Sequence, residues 1–301
     1  MRNAVVLILL FFGFLCSKGA SVDSVSTEKL NDIYYNQPFS YFFFGSGIGN
    51  MYPIVFESQI ATSLEFRVTK TSPLVFVCSP AIMVRMLRQK SVPVRTPNYI
   101  PEASIYYRFY DKERKYNYST FVRYCHNSNG MEADFIDKNG MYNFKDGNFS
   151  TNAFDFGLLV SRQTNKYLAF LSGSVSHIFQ NEPEIAGLYG TNFIKGHFAL
   201  FIYNDKGIFN SLFKNHLIRE KKSVIAFDLK SQYAFSGIDN IDFFDLRKRL
   251  TFQLDISYRP KFWDSTSFFA RGYSGRDYYN VQFVNFRNTI MFGIKADLVG
   301  R

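Results

Sequence analysis

The sequence predicts an all-β fold, a twelve-stranded antiparallel transmembrane β-barrel, from three observations. Phenylalanine (35) and tyrosine (20) are abundant, yet hydrophobic residues reach only 47%. Beyond the N-terminus, no continuous apolar run reaches the roughly 18 residues of a transmembrane helix. Several segments instead alternate apolar and polar residues over about ten positions, as membrane strands do. Composition alone is equally compatible with a secreted β-sandwich or a soluble barrel, but charged residues on the second face suit a polar lumen better than a dry core.

The N-terminus predicts a secretory signal peptide over residues 1–20. Met1-Arg2-Asn3 is a charged start, "AVVLILLFFGFL" is a short apolar core, and "CSKGAS" supplies small residues. The apolar core is shorter than the roughly 20 residues that a membrane-spanning helix needs. We assign residues 21–301 to one barrel domain, because no repeat, low-complexity tract or linker divides them.

The charge distribution gives no sign of a nucleic-acid partner, and the cysteine content is low. The formal net charge is +10, but no lysine and arginine run indicates a nucleic-acid partner. Basic residues of a barrel usually lie in the lumen or at lipid headgroups. Cys78 and Cys125 remain after processing, and we expect both to be small buried residues. The sequence leaves open whether they pair.

Alternation is clearest near the C-terminus. In "RLTFQLDISYR" the apolar side chains from Leu250 to Tyr258 fall on one face, and polar ones from Thr251 to Arg259 fall on the other. The segment "FRNTIMFGIKADL" repeats the pattern. Links rich in Gly, Asn, Asp and Pro separate such segments. The predicted strands lie near residues 38–48, 54–69, 72–87, 97–111, 115–128, 150–163, 166–180, 192–205, 217–233, 247–260, 264–281 and 283–298.

The segment "YCHNSNG" (124–130) places an imidazole and a hydroxyl on the same face of a predicted strand. His126 and Ser128 are two residues apart, so they share the apolar face of the segment 115–128. Asn152 shares the apolar face of the next segment, near the same end of the barrel. Polar groups on a lipid-facing surface are costly unless they are used or lie at the interface.

These three residue types suit nucleophilic hydrolysis of an ester. A serine hydroxyl needs a base to remove its proton, and His126 is placed to act on Ser128. A third group must hold the imidazole in the right tautomer, and the amide oxygen of Asn152 can do so. The motif H-x-S occurs by chance in many strands, so the agreement of three residues on one face carries the hypothesis. Three loop residues, Asn139, Asn143 and Asn148, compete with Asn152, but parity favours Asn152.

Several stretches resemble the outer-membrane phospholipase A family. The family motif H-x-S-N-G matches His126, Ser128, Asn129 and Gly130, and "FSTNAF" offers Asn152 where the family has an asparagine in a Ser-aromatic-Asn context. Upstream, "SVPVRTPNYIPEASIYY" is similar to a stretch with Arg followed by Asn-Tyr-x-Pro. Near the end, "YSGRDYYNVQFVNFRNTIMFGI" is similar to the Tyr-Ser-Gly and final strand. The matches run in order through most of the chain.

The resemblance implies a calcium-dependent phospholipase A that hydrolyses acyl esters of membrane phospholipids. It implies a Gram-negative outer-membrane location and calcium-promoted homodimers. The catalytic residues would be Ser128 as nucleophile, His126 as base and Asn152 as the group that orients it. Ca²⁺ would be bound by Ser91 and by the main-chain carbonyl of Met131, where the family usually has arginine.

Two other functions remain open at the sequence level. Lipid A deacylases also carry H-x-S on the lipid face, but they have eight strands and a carboxylate third partner. A porin or structural barrel could carry the motif without activity. Charge in the lumen strands does not separate these alternatives from the phospholipase.

Overall fold

The computed structural model describes residues 30–44, 48–49, 54–69, 71–88, 90, 94–109, 115–204, 223–263 and 265–296. The predicted signal peptide (1–20) and the predicted calcium ligand Ser91 lie outside these residues. Among the described helices, none is both long and apolar enough to cross a membrane.

Within the described residues, twelve antiparallel strands form one sheet that closes into a barrel, which confirms the predicted fold. Two residues, Ile48–Gly49, also pair with the last strand. The strands are β1 (Ser40–Phe44), β2 (Ile54–Ala61 and Leu64–Phe66), β3 (Leu74–Ser79 and Ala81–Leu87), β4 (Asn98–Tyr99 and Glu102–Phe109), β5 (Asn117–Ser128), β6 (Ser150–Gln163), β7 (Tyr167–Asn181), β8 (Asn192–Asn204), β9 (Ser223–Ala234), β10 (Leu250–Arg259), β11 (Thr266–Arg276) and β12 (Phe286–Ala296). The wall closes where Ser40 of β1 pairs with Ala296 of β12.

Short helices lie at the strand ends, and they correct two predicted boundaries. They are α1 (Asn31–Tyr35), α2 (Pro183–Tyr189), α3 (Leu246–Arg249) and a 3₁₀ helix (Asn280–Val284). The predicted strand 247–260 begins only at Leu250, because Asp245 caps α3 through its side chain. The predicted strand 264–281 ends at Arg276, since Asp277 ion-pairs with Arg85 and turns the chain into the 3₁₀ helix.

The two faces of the wall differ as the alternation predicted. Large apolar side chains project outward, including Phe156 (56% exposed), Leu158 (61%) and Phe292 (55%). The alternate residues, such as Asp155, point inward and are buried. A wall that is apolar outside and polar inside is the arrangement of a transmembrane barrel.

The interior is filled at one end by α1. Ile33 packs with Tyr106 and Phe170 from the barrel wall. The buried carboxylate of Asp32 pairs with Arg108 and accepts a hydrogen bond from Ser161. These contacts hold the helix inside the barrel, because a buried carboxylate without such partners would be strongly destabilising.

A second buried group fills the interior near the 3₁₀ helix. Arg85 lies between Glu57 (2.6 Å) and Asp277 (2.9 Å), and Arg287 contacts Asp277 at 2.8 Å. Tyr278 donates a hydrogen bond to Glu57. A cavity of about 420 Å³ also lies inside the barrel.

The two cysteines differ from expectation. Both are free thiols. Cys78 lies on the outward face of β3, whereas Cys125 lies on the inward face of β5, so the two side chains point to opposite sides of the wall. Cys125 is half-buried, but Cys78 is exposed on the outer surface, so the expectation that both are buried was wrong for Cys78. Cys78 belongs to the outward series of β3 with Phe76, where exposure to lipid rather than packing is the normal environment.

Candidate active site

The pairing of β5 with β6 brings the three predicted residues to one place. His126 lies directly opposite Asn152, and Ser128 lies opposite Ser150. Residues on one face of a strand recur every second position, so all three side chains project outward from the barrel. They lie at the end of β5 and the start of β6, on either side of the segment 129–149.

The side chains form a continuous hydrogen-bonded chain. The Ser128 Oγ is 2.8 Å from His126 Nε2, and the other ring nitrogen, Nδ1, is 2.9 Å from Asn152 Oδ1. With Nδ1 donating to the amide oxygen, Nε2 is left without a proton and can accept the serine proton. The geometry is that of a nucleophile, a base and an orienting group.

Two residues that the sequence reasoning missed hold the Asn152 amide. Tyr124 Oη donates to Asn152 Oδ1 at 2.6 Å, and Asn152 Nδ2 donates to Gln180 Oε1 at 3.3 Å. With Oδ1 accepting from Tyr124 and Nδ2 donating to Gln180, the amide oxygen is turned toward the imidazole. Parity placed Tyr124 on the same face as His126, but the register of β7 was needed to place Gln180 opposite Asn152.

The competing asparagines are engaged elsewhere or make no contact with the imidazole. Asn143 binds main-chain groups of its own loop, accepting from Lys145 and Asp146 and donating to Asp134. Neither Asn139 nor Asn148 has a side-chain hydrogen bond to a described residue.

The turn after Ser128 leaves one main-chain donor available. Asn129 N donates to Phe149 O (3.0 Å), and Met131 N donates to Asn129 Oδ1 (3.3 Å). Among the described residues, Gly130 N has no acceptor. Gly130 has φ +66°, a backbone conformation that side chains disfavour, so glycine is needed for this turn.

Apolar groups surround the triad on the outer surface. Phe154 stacks on Phe179 with ring centroids 5.1 Å apart, and Tyr124 lies 5.7 Å from Phe154. On the other side of the triad, Tyr99 lies opposite Ser128 in the sheet, and Ile82 lies opposite Tyr99 on the next strand. The side chains of Tyr99 and Ile82 are exposed on the outer surface. An apolar molecule that reaches Ser128 would therefore contact hydrophobic side chains on both sides.

The predicted calcium site is only partly covered by the described residues. Ca²⁺ takes six to eight oxygen ligands, usually including carboxylates. The described part of the chain contains no group of three acidic, histidine or cysteine side chains that could hold a metal ion. Of the two predicted ligands, only Met131 is described, and its N–H donates to Asn129 Oδ1, which leaves the carbonyl oxygen as the atom that would face a cation.

Fold and site together define a class of structure: a closed antiparallel barrel with a hydrogen-bonded serine, histidine and asparagine on its apolar outer wall.

Solved structures share this fold. Outer membrane phospholipase A from Escherichia coli is similar over 92% of this chain and 100% of its own, with a TM-score of 0.54 and 15% identity. The outer membrane phospholipase dimer of Salmonella typhi with bound calcium is similar over 91% of this chain and 99% of its own, with a TM-score of 0.54 and 13% identity. No protein-family profile matches the chain, and no curated protein matches it significantly. At these identities the similarity establishes the fold alone.

Proposed function

We propose that this chain is a serine phospholipase A of the outer membrane, which hydrolyses acyl esters of membrane phospholipids. The observation that carries the proposal is the hydrogen-bonded chain Ser128–His126–Asn152 on the apolar outer wall. Structural similarity to outer membrane phospholipase A supports it.

The reaction follows from the order of the hydrogen bonds. Ser128 Oγ attacks the ester carbonyl carbon while His126 Nε2 takes the serine proton. The imidazolium is held by Asn152 Oδ1, and it then gives the proton to the leaving lysophospholipid oxygen. Water enters, His126 removes its proton, and the acyl-serine ester is hydrolysed to a fatty acid. The available N–H of Gly130 is the main-chain donor that we assign to the oxyanion.

The position of the triad suits a phospholipid ester rather than a soluble one. The scissile ester of a phospholipid lies between its apolar chains and its polar headgroup. The triad lies where a strand ends, with Phe154 and Phe179 beside it on the outer surface. The six connections between strands at the triad end have 9 to 21 residues, whereas four of the five at the other end have only 3 to 7 and the fifth, 205–222, has 18. Barrels have longer loops on the extracellular side, so we place the triad at the outer leaflet.

Calcium dependence and calcium-promoted homodimers belong to the same proposal. Their support is the resemblance in sequence, together with the Salmonella typhi structure, which is a dimer with bound calcium. When bound, Ca²⁺ would supply positive charge near the developing oxyanion.

The decisive test compares purified, folded variants in detergent micelles that contain phospholipid. Ser128→Ala and His126→Ala should each lower fatty-acid release by at least about 10³-fold, because each removes a member of the reacting set. Thr120→Ala removes a hydroxyl from the same face of β5, far from the triad, and should leave the rate unchanged. A sulfonyl fluoride should label Ser128 in the wild type.

Equal hydrolysis by wild type and Ser128→Ala would refute the proposal, because the activity would then belong to a contaminant and the barrel itself would be non-catalytic, such as a porin. If hydrolysis depended on Ser128 but required acylated lipid A rather than phospholipid, the enzyme would be a lipid A deacylase.

A further inference from the structure

An outward-facing groove lies on the wall away from the triad. It has a volume of about 430 Å³ and lies between α3 and the outward faces of β10, β11 and β12. We call it the α3 groove, and its main lining residues are Leu246, Arg247, Lys248, Leu250, Phe252 and Phe286. Its volume is in the range of sites that bind small molecules.

The groove combines cations at the barrel end with apolar groups further along the wall. Arg247 and Lys248 belong to α3, which precedes the first residue of β10. Leu250 and Phe252 follow on the outward face of β10, and both are exposed. This order of charge and apolar surface matches that of a lipid, whose headgroup lies above its chains.

The two cations are available for a ligand. Among the described residues, Arg247 makes no ion pair, and Lys248 has only a half-exposed contact with Asp245 at 3.7 Å. An exposed contact of this kind contributes little. No carboxylate lines the groove, so the charge that faces a ligand there is positive.

The helix that carries these cations is fixed by a third cation. Arg249 is buried and donates to four main-chain carbonyls, those of Ala234, Ser236, Ile241 and Asp242, at 2.7–2.9 Å. These bonds tie α3 to the end of β9 and to its own loop. The backbone that carries Arg247 and Lys248 is therefore anchored to the barrel by hydrogen bonds.

The same loop also presents apolar side chains to the surroundings. Phe244 is 81% exposed, and its neighbours Phe243 and Leu246 are exposed as well. Exposed aromatic side chains beside cations at a barrel end are typical of residues at the level of lipid headgroups.

We propose that the α3 groove binds one membrane lipid with an anionic, phosphate-bearing headgroup. Arg247 and Lys248 contact the phosphate, and Leu250, Phe252 and Phe286 contact an acyl chain. The groove spans β10–β12, whereas the triad lies on β5 and β6, about half of the barrel circumference away. The bound lipid is therefore distinct from a substrate at Ser128, and its binding does not depend on the proposed hydrolysis.

Native mass spectrometry of the full chain in micelles tests this site. All proteins carry Ser128→Ala, so that lipid is not hydrolysed during the measurement. Phosphatidylglycerol, which is anionic, is titrated against phosphatidylcholine, which is zwitterionic. We expect one retained phosphatidylglycerol that R247Q/K248Q weakens about 30-fold, because each cation near a membrane surface contributes about fivefold in affinity. Phe252→Ala should weaken the same lipid severalfold.

The matched control is K138Q/K145Q, which removes two exposed lysines from the segment 129–149 at the same end of the barrel. It should retain wild-type binding. Equal weakening by both double variants would show a general charge effect and overturn the site. Unchanged binding in R247Q/K248Q, equal retention of phosphatidylcholine, or displacement by inorganic phosphate at the same concentration would each overturn it too.

Discussion

Replacing Tyr124 by phenylalanine tests whether the amide of Asn152 must be held for the proposed reaction. Tyr124 Oη donates to Asn152 Oδ1 at 2.6 Å, and that oxygen also accepts from His126 Nδ1. The substitution keeps the ring beside Phe154 and removes only the donor. One neutral hydrogen bond contributes about 0.5–1.5 kcal/mol, which corresponds to a loss of about 2- to 12-fold in rate.

The assay measures kcat and KM for a phospholipid at varied mole fraction in micelles. We expect kcat to fall by that factor with KM unchanged, because Tyr124 acts on the base through Asn152. Tyr118→Phe is the control, since Tyr118 lies on the same outward face of β5, eight residues from His126 and thus about 26 Å along the strand. A normal kcat in Tyr124→Phe, or an equal loss in Tyr118→Phe, would refute the reasoning.

Three further outcomes are expected. Asn152→Ala should lower kcat by about 10- to 150-fold, since it removes the acceptor of a charge-assisted hydrogen bond, while sulfonyl labelling of Ser128 becomes slower but is not abolished; unchanged kinetics would count against its orienting role. Chelation of calcium should abolish turnover and convert dimers to monomers in sedimentation, with calcium but not magnesium restoring both; full turnover by a monomer in chelator would contradict this. Glu57→Leu should lower the free energy of unfolding, measured in urea titrations, by about 3–5 kcal/mol. The substitution removes the Glu57 carboxylate and leaves two buried guanidinium groups, Arg85 and Arg287, close together. Glu132 is exposed, so Glu132→Gln should change the free energy of unfolding little.

Alternation allowed much of the fold to be predicted from the sequence. A period of two identifies both the strand and its lipid-facing side, and the outward series of β10 and β12 follow the predicted faces. The boundaries at Asp245 and Asp277 could not be predicted in this way. Each depends on the carboxylate at that position: one caps a helix, and the other pairs with an arginine nearly 200 residues away in sequence.

The site could be predicted only in part for a related reason. Parity put His126, Ser128 and Asn152 on one face, but it does not give the register between strands. The position of Asn152 opposite His126, and of Gln180 opposite Asn152, comes from the paired backbones. The hydrogen bond from Tyr124 to Asn152 could not be predicted, because tyrosines are common on lipid-facing surfaces and their presence there does not indicate a role in a site.

The closing pair, Ser40 with Ala296, joins strands about 250 residues apart in the sequence. Until β12 has paired with them, β1 and β11 each keep a row of unpaired backbone amides and carbonyls, a state that promotes aggregation. Such distant partners also make ring completion slow, since much chain entropy is lost before the final seam forms. Truncation before Phe286 should therefore leave an open sheet rather than a smaller barrel.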